Sequence, residues 1–431
     1  MLKRRKTRKE PTIAIIGLGY VGLALVAAFS KQYSIIAYDI NEQRIRDLKN
    51  KKDVFHEISK KALSKKNITF TCNQDELSDA SCYIIAVQTP INNFHLKEPV
   101  LTYTNAACET VGKYLKRNNA VIIESTVFPG YTEEVAQPIL EKRSKLKAGK
   151  DFHLCYSPER INPGDKTHGL ENVSKIVAGI NVKALNYIDK IYSKIIKKPL
   201  HRAESIRVAE AAKLLENIQR DVNIALMNDV AKLFHKLKIS TQDVIAAANS
   251  KWNFLPFKPG LVGGHCIGLD PYYLMHKAKE HEHAIPIVKE SRKTNESMVN
   301  YIFEAMQQAL EYANVKKPRI AVLGLAFKSN SSDLRNSKAV ELVEKLSQIS
   351  DNIICYDPCL DDVETPVPLV SNLKDIKQCH AVLINVAHQP FEKLTINDFK
   401  KLLCAPHLVF DLPGLLSNPQ SQQKGLTLWQ L

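Results

Sequence analysis

Short apolar runs separated by longer mixed stretches set the rhythm of this chain. Thr12–Gly17 (Thr-Ile-Ala-Ile-Ile-Gly) is uncharged and closes on a glycine, the form of a strand buried on both faces of a parallel sheet. Ser34–Tyr38, Cys82–Val87, Ala120–Glu124 and His153–Tyr156 are runs of the same kind, and helix-like sequence fills the gaps, beginning with residues 18–30. This alternation predicts an α/β fold with a doubly wound sheet and right-handed crossovers. Residues 203–238 contain neither glycine nor proline. They predict one helix, or two nearly continuous ones, roughly 50 Å long at 1.5 Å per residue. Such a rod would separate domains, and an exposed apolar face on it could bury against a second copy. A loop rich in glycine and proline follows at Phe254–Pro271, and helical sequence then runs to about residue 315. There the opening pattern returns. Ile320-Ala321-Val322-Leu323-Gly324-Leu325 echoes Ile13-Ala14-Ile15-Ile16-Gly17-Leu18, and Ile353–Asp357 echoes Ile35–Asp39. Ala381–Val386 and Leu408–Asp411 read as later strands of a second nucleotide-binding-like α/β domain.

Composition narrows the class. The 431 residues carry a formal charge of +15, with 45% hydrophobic and 24% charged residues, ordinary for a globular protein and unlike a disordered or collagen-like chain. The length implies two or three domains. The nine cysteines are scattered without a CxxC pair, and the 13 histidines show no HExxH spacing. The expectation is therefore a reducing cytoplasm, no disulfide framework and no metal. Lys3, Arg4, Arg5, Lys6, Arg8 and Lys9 precede the uncharged residues 12–29. That order resembles a signal anchor, but glycines at 17, 19 and 22 point elsewhere. Beyond the tail the lysines are dispersed, as on solvated helix faces, and no DNA- or RNA-reading motif is present.

Gly17-Leu18-Gly19-Tyr20-Val21-Gly22 fits GxGxxG, placed after a strand and at the start of a helix, with Asp39 closing the next strand. Glycines there permit a tight turn, backbone approach to a pyrophosphate and close helix–strand packing. The helix N-terminus offers free N–H groups. Asp39 would bind a ribose 2′-hydroxyl and repel a 2′-phosphate, so the cofactor is read as NAD rather than NADP. The second unit lacks the glycine pattern. Lys328 lies in its loop and Arg335 seven residues on, cations that suit a nucleotide diphosphate other than the redox cofactor, although surface cations would look the same. Cys266 stands among Gly263, Gly264 and Gly268, where a ligand could approach closely and a nearby helix start would favour the thiolate. Asp270 before Pro271 also fits a helix N-cap. Lys213 and Asn217 are spaced i, i+4 on the long helix, but so are Glu210 and Leu214; from spacing alone a solvated face explains them better. Glu159, just after a strand, reads more readily as a surface-turn carboxylate than as an active-site one.

At this point the residues resemble the UDP-glucose/GDP-mannose dehydrogenase family across essentially the whole chain. The resemblance rests on IAIIGLGYVGL at 13–23, ESTVFPG at 124–130, YSPERINPGD at 156–165, VAEAAKLLENIQRDVNIALMND at 208–229, WNFLPFKPGLVGGHCIGLDPYYL at 252–274 and LGLAFKSNSSDLRNS at 323–337. The SPERINPGD and HCIGLDPYYL forms look most like the UDP-N-acetylglucosamine/galactosamine 6-dehydrogenases of bacterial surface-polysaccharide synthesis. The resemblance implies two Rossmann-like domains joined by a long central helix: residues 1–202 binding NAD, 203–315 dimerising and carrying the cysteine loop, and 316–431 binding the UDP-sugar. It implies a homodimer or higher homo-oligomer acting on a UDP-N-acetylhexosamine, with no nucleic acid, membrane or metal partner. Cys266 falls on the catalytic thiol, Lys213 and Asn217 on the polar pair facing C6, and Glu159, Thr126 and Asp270 on positions that bind or activate water. Beyond the glycine loop, Val21, Asp39, Arg44, Thr89 and Thr126 match NAD contacts. Phe257, Lys258 and Gly260 match the loop closing over the sugar nucleotide, and Lys328 and Arg335 match cations near UDP and cofactor. Arg160 and Asn162 would shape the N-acetyl pocket, and Arg292 falls where relatives present an arginine to a neighbouring subunit's substrate. Two stretches depart from the family pattern: Gln88-Thr89-Pro90 replaces the usual Pro-Thr-Pro, and 291–296 replaces a Gly-Arg-Arg form. UDP-glucose is the rival substrate. The competing class is a membrane-anchored or nucleic-acid-binding protein, on the strength of the basic tail.

Overall fold

A computed structural model describes residues 10–53, 58–92, 97–160, 169–360, 365, 367–416 and 425–431. The basic tail and Asn162 therefore lie outside the described residues. The chain divides into two compact units, residues 1–216 with 272–283, and residues 217–271 with 284–431.

In the first unit eight strands form one sheet in the order β3-β2-β1-β4-β5-β6-β7-β8. They are β1 (Thr12–Ile16), β2 (Ser34–Tyr38), β3 (Ile68–Thr71), β4 (Cys82–Ile85), β5 (Ala120–Ile123), β6 (His153–Tyr156), β7 (Ile176–Gly179) and β8 (His201–Arg202). The strands β1 to β6 run parallel, and β7 lies antiparallel to β6. Ile13, Ala14, Ile15 and all of β4 and β5 are buried, as the apolar runs require of strands covered on both faces. The uncharged segment 12–29 is thus β1, a glycine turn and the helix Tyr20–Phe29. No helix among the described residues is long and apolar enough to cross a membrane.

The second unit has a five-stranded sheet in the order β10-β9-β11-β12-β13, with β9 (Arg319–Leu323), β10 (Asn352–Tyr356), β11 (Cys379–Ile384), β12 (Leu403–Asp411) and β13 (Thr427–Gln430) all parallel. Both sheets reverse direction beside their first strand, between β1 and β4 and between β9 and β11. Ligands of open α/β sheets bind beyond the strand ends at such a switch point.

The long helix runs from Ile206 to Leu237 without a break. Val208, Leu215, Leu226, Leu233 and Leu237 on it are all exposed. At 100° per residue these five fall within about 20° of one line along the rod.

Candidate active site

At the first switch point the three glycines have three different reasons to be glycine. Gly17 has φ +92°, and a Cβ on it would lie 2.9 Å from the Ala86 carbonyl oxygen. A Cβ on Gly22 would lie 1.8 Å from the Gly17 oxygen, so this turn of helix packs directly on the loop. Around Gly19, among the described residues, no atom outside its own local backbone lies within 4 Å of that position; this is the glycine over which a pyrophosphate can approach. Asp39 Oδ2 accepts from the Leu18 N–H at 2.7 Å and Oδ1 from the Asn41 N–H at 2.9 Å, which ties the end of β2 to the turn. Arg44 is buried, donating to the Leu18 carbonyl at 3.1 Å and to Asp53 at 2.9 Å, and so braces the same loop from below. Thr89, after β4, and Thr126, after β5, are half-buried. The Thr89 carbonyl accepts from Tyr273. These residues fit NAD.

Beyond β6, Glu159 and Lys213 are buried, with Lys213 Nζ 3.9 Å from Glu159 Oε2. A solvated helix face and a surface turn, the plain explanations of their spacing, are both excluded. Behind them lies a network that sequence reasoning missed. Lys175, 2% exposed, donates to Glu124 at 2.7 Å and to the Pro158 carbonyl at 2.8 Å; the second bond holds the residue before Glu159. The Tyr192 hydroxyl completes the Glu124 carboxylate. Burial raises the Glu124 pKa while Lys175 pulls it back down. Glu210, which shared the i, i+4 spacing and looked unremarkable for it, is fully buried. Its two oxygens accept from Gly130 N at 2.6 Å and Thr132 N at 2.9 Å. Burial pushes its carboxyl up to about 7 even so. Arg160 forks onto Glu216 and also donates to the Ser174 carbonyl.

In the second unit Cys266 sits half-buried in the turn 264–269, immediately before the helix that starts at Asp270. Asp270 is 2% exposed and accepts from Asn217 Nδ2 at 2.5 Å. Since a carboxylate only accepts, the Asn217 amide must turn its nitrogen toward it. Arg335 is held by both oxygens of Asp333, at 2.9 and 2.6 Å. Donating to Asp333 raises the guanidinium's pKa, against the opposing effect of burial. Five cysteines, at 82, 108, 155, 355 and 379, are buried, and none of the nine is paired. Burial pushes Cys82, Cys108 and Cys355 up to about 12, which leaves them inert.

At the switch point of this unit lies a cavity of about 280 Å³ lined by Lys258, Gly260, Gly263, Phe327, Ser329, Lys338, Asn385 and residues around them. Lys328 lies in sequence between two of its wall residues. Arg292, expected to face a neighbouring subunit's substrate, makes its described contacts within its own unit. It is 2% exposed and donates to Asp221 at 2.5 Å and Glu296 at 2.7 Å. The network continues from Asp221 through Asn295 to Asn228. Asn228 grips Gly260 by both its N–H and its C=O, and Glu296 pairs with Lys338. Arg292 thus supports the cavity wall from behind.

The family of UDP-glucose/GDP-mannose dehydrogenases matches in three parts: its NAD binding domain over residues 11–196, its central domain over 207–297 and its UDP binding domain over 321–418. The chain belongs to this family. This dehydrogenase is accordingly an NAD-dependent oxidoreductase of nucleotide sugars, with a UDP-sugar as its substrate. It is 44% identical over 428 residues to Protein CapL of Staphylococcus aureus, covering 97% of this chain and 99% of the relative. It is 42% identical over 418 residues to the UDP-N-acetyl-D-glucosamine 6-dehydrogenase of Salmonella typhi, covering 96% and 98%. Among solved structures, the UDP-D-ManNAc dehydrogenase of Pyrococcus horikoshii superposes with a TM-score of 0.88 at 32% identity, covering 97% of this dehydrogenase and 98% of that chain.

Proposed function

We propose that the enzyme oxidises the C6 hydroxyl of a UDP-N-acetylhexosamine, the gluco or galacto epimer, to the carboxylate in two steps on one thiol, for surface-polysaccharide synthesis. The observation that carries the sugar assignment is the 42% identity, over nearly all of both chains, with the Salmonella typhi enzyme. NAD, held at Gly17–Gly22 and Asp39, supplies the hydride acceptor for each oxidation. The ammonium of Lys213 and the amide of Asn217, one helical turn apart, stabilise the alkoxide forming on C6. The proton leaves through a water held by Asp270 and Thr126. Burial beside Glu159 favours this role for Lys213, since an ammonium withheld from bulk water acts more strongly on a developing oxyanion. The Cys266 thiolate then adds to the aldehyde as a thiohemiacetal, so the aldehyde never leaves. After the second oxidation the thioester is hydrolysed by water activated near Glu159 or Asp270. On the substrate side Phe257, Lys258, Gly260, Lys328 and Arg335 contact the sugar nucleotide, and Arg160 bounds the acetamido group.

Purified enzyme should release two NADH per uronic acid with UDP-N-acetylglucosamine or its galacto epimer. Turnover of UDP-glucose alone, or one NADH per product, refutes the reading. We also propose a homodimer seated on the exposed stripe of the long helix, and a cytoplasmic enzyme, in keeping with nine unpaired cysteines.

A further inference from the structure

The loop after β9, Leu325–Asn330, supplies Phe327 and Ser329 to the cavity wall and carries Lys328 between them. A six-residue loop needs fixing at both ends if its side chains are to be held for a ligand. Its first end is held by Asp357, at the end of β10, whose Oδ2 accepts from Leu325 N at 2.7 Å and Ala326 N at 3.0 Å. Its far end is held by His388, whose Nδ1 accepts from Asn330 N at 2.9 Å. The two anchors are themselves joined, His388 Nε2 lying 3.2 Å from Asp357 Oδ2. An N–H aimed at Nδ1 demands a lone pair there. In this arrangement the ring proton sits on Nε2 and is donated to the carboxylate; burial lowers the imidazole's pKa, but the bond to Asp357 raises it more, to about 9.

The internal repeat shows what is distinctive here. Ile85 pairs with Ile16 as Ile384 pairs with Leu323, so the fourth residue beyond each strand is Thr89 in the first unit and His388 in the second. Asp39 and Asp357 occupy matching places at the ends of β2 and β10. In the first unit the strand-end acid takes one N–H of its loop on Oδ2; in the second it takes two, and a fully buried imidazole besides. Cys359 lies 3.5 Å from Nδ1 and its N–H donates to Asp357 Oδ1 at 2.9 Å. Histidine, thiol and carboxylate together are the donor types of a zinc site, and these three lie close enough to bind one ion. Yet the Asp357 oxygens and Nδ1 already accept four N–H groups of the backbone, each of which a metal would have to displace. Hydrogen bonding to the loop is the better use of this cluster.

We propose that His388 and Asp357 form a positioning pair that locks both ends of the Leu325–Asn330 loop and thereby sets the affinity for the UDP moiety. The pair touches neither substrate nor cofactor; it acts through Phe327, Lys328 and Ser329. This rests on the reading of the cavity as the UDP site.

The test compares the full-length parent with His388→Leu and His388→Asn. Asparagine keeps a carbonyl oxygen where Nδ1 stands, and so keeps an acceptor for Asn330 N. UDP binding is measured by calorimetry, NADH binding by fluorescence, and KM for sugar nucleotide and NAD separately. His388→Leu should weaken UDP binding and raise the sugar-nucleotide KM about tenfold, with NADH affinity and NAD KM within twofold of the parent. His388→Asn should recover most of the loss. Three results overturn the proposal: UDP affinity in the leucine form within twofold of the parent, an equal loss for NADH, or no recovery with asparagine. Should the leucine form fail to fold, Asp357→Asn takes its place under the same thresholds. A parent that fails to bind UDP at all refutes the reading of the cavity and the inference with it. A parent that binds while the variants bind equally refutes the inference alone.

Discussion

Replacing Lys175 by methionine isolates the buried network behind Glu159. The lysine is 2% exposed and Glu124 1%, so the change leaves a carboxylate in the protein interior with Tyr192 as its remaining named partner. Removing one member of a buried ion pair costs about 3–5 kcal/mol. In a unit of this size 1 kcal/mol moves the melting temperature by about 2–4 °C, so the first transition should fall by about 6–20 °C. The loss should depend on pH in a definite sense. Burial already raises the Glu124 pKa against the pull of Lys175, and removing that pull raises it further. A carboxyl with a raised folded-state pKa binds its proton more tightly folded than unfolded, so its contribution to stability is lost as pH rises. Lys175→Met should therefore be closest to the parent near pH 5 and furthest from it near pH 8. Adding Glu124→Gln removes the stranded charge and should recover most of the melting temperature. Activity should stay low in both variants, because the bond to the Pro158 carbonyl that steadies Glu159 is gone in each. Thermal scans of the parent, two single variants and the double variant at both pH values make the measurement. Additive losses in the double variant, or a single variant within 1 kcal/mol of the parent, would show that the pair is not the unit described.

Three further outcomes are expected. Glu210 titrates near 7 folded against 4.5 ordinarily, a difference worth about 3 kcal/mol. It contributes least above pH 7, so stability should decline from pH 5 to pH 8, and Glu210→Gln should flatten that slope in urea titrations at fixed ionic strength. Gly22→Ala, which puts a Cβ 1.8 Å from the Gly17 oxygen, should weaken NADH binding at least about 100-fold, more than 2.7 kcal/mol, while UDP binding stays within twofold by calorimetry; intact NADH binding would refute the packing argument. Cys266→Ser should stop uronic acid formation more severely than the first oxidation, read as NADH released without acid by NMR, and parental acid production would remove the thiol from the mechanism.

What the chain discloses by itself is what lies close along it. The glycine loop, Asp39 and the repeat of both in Gly324 and Asp357 are local patterns, each tied to one turn and one strand. The long helix was legible to within a few residues, since absence of glycine and proline speaks directly to backbone freedom. Lys213 and Asn217 were different. Their spacing could not separate a buried lysine and a half-buried asparagine from a wet face, and the resemblance alone singled them out. Glu124 and Lys175 lie 51 residues apart and Glu210 about 80 from the N–H groups it binds, so nothing local marks them. A carboxylate closing the wholly apolar strand Ala120–Ile123 was the one available hint. Arg292 was singled out by the resemblance, whereas its bond to Asp221, 71 residues away, is marked by nothing local. His388 becomes visible only when the two sheets are laid in register, strand end against strand end.

The distribution of the nine sulfurs makes the folded molecule its own gauge. Five are sealed in the interior, while Cys72 is open and Cys266, Cys359 and Cys404 are partly so. An alkylating reagent therefore meets at most four thiols in the native protein and nine once the chain is unfolded. The count of blocked sulfhydryls tracks integrity without any added label.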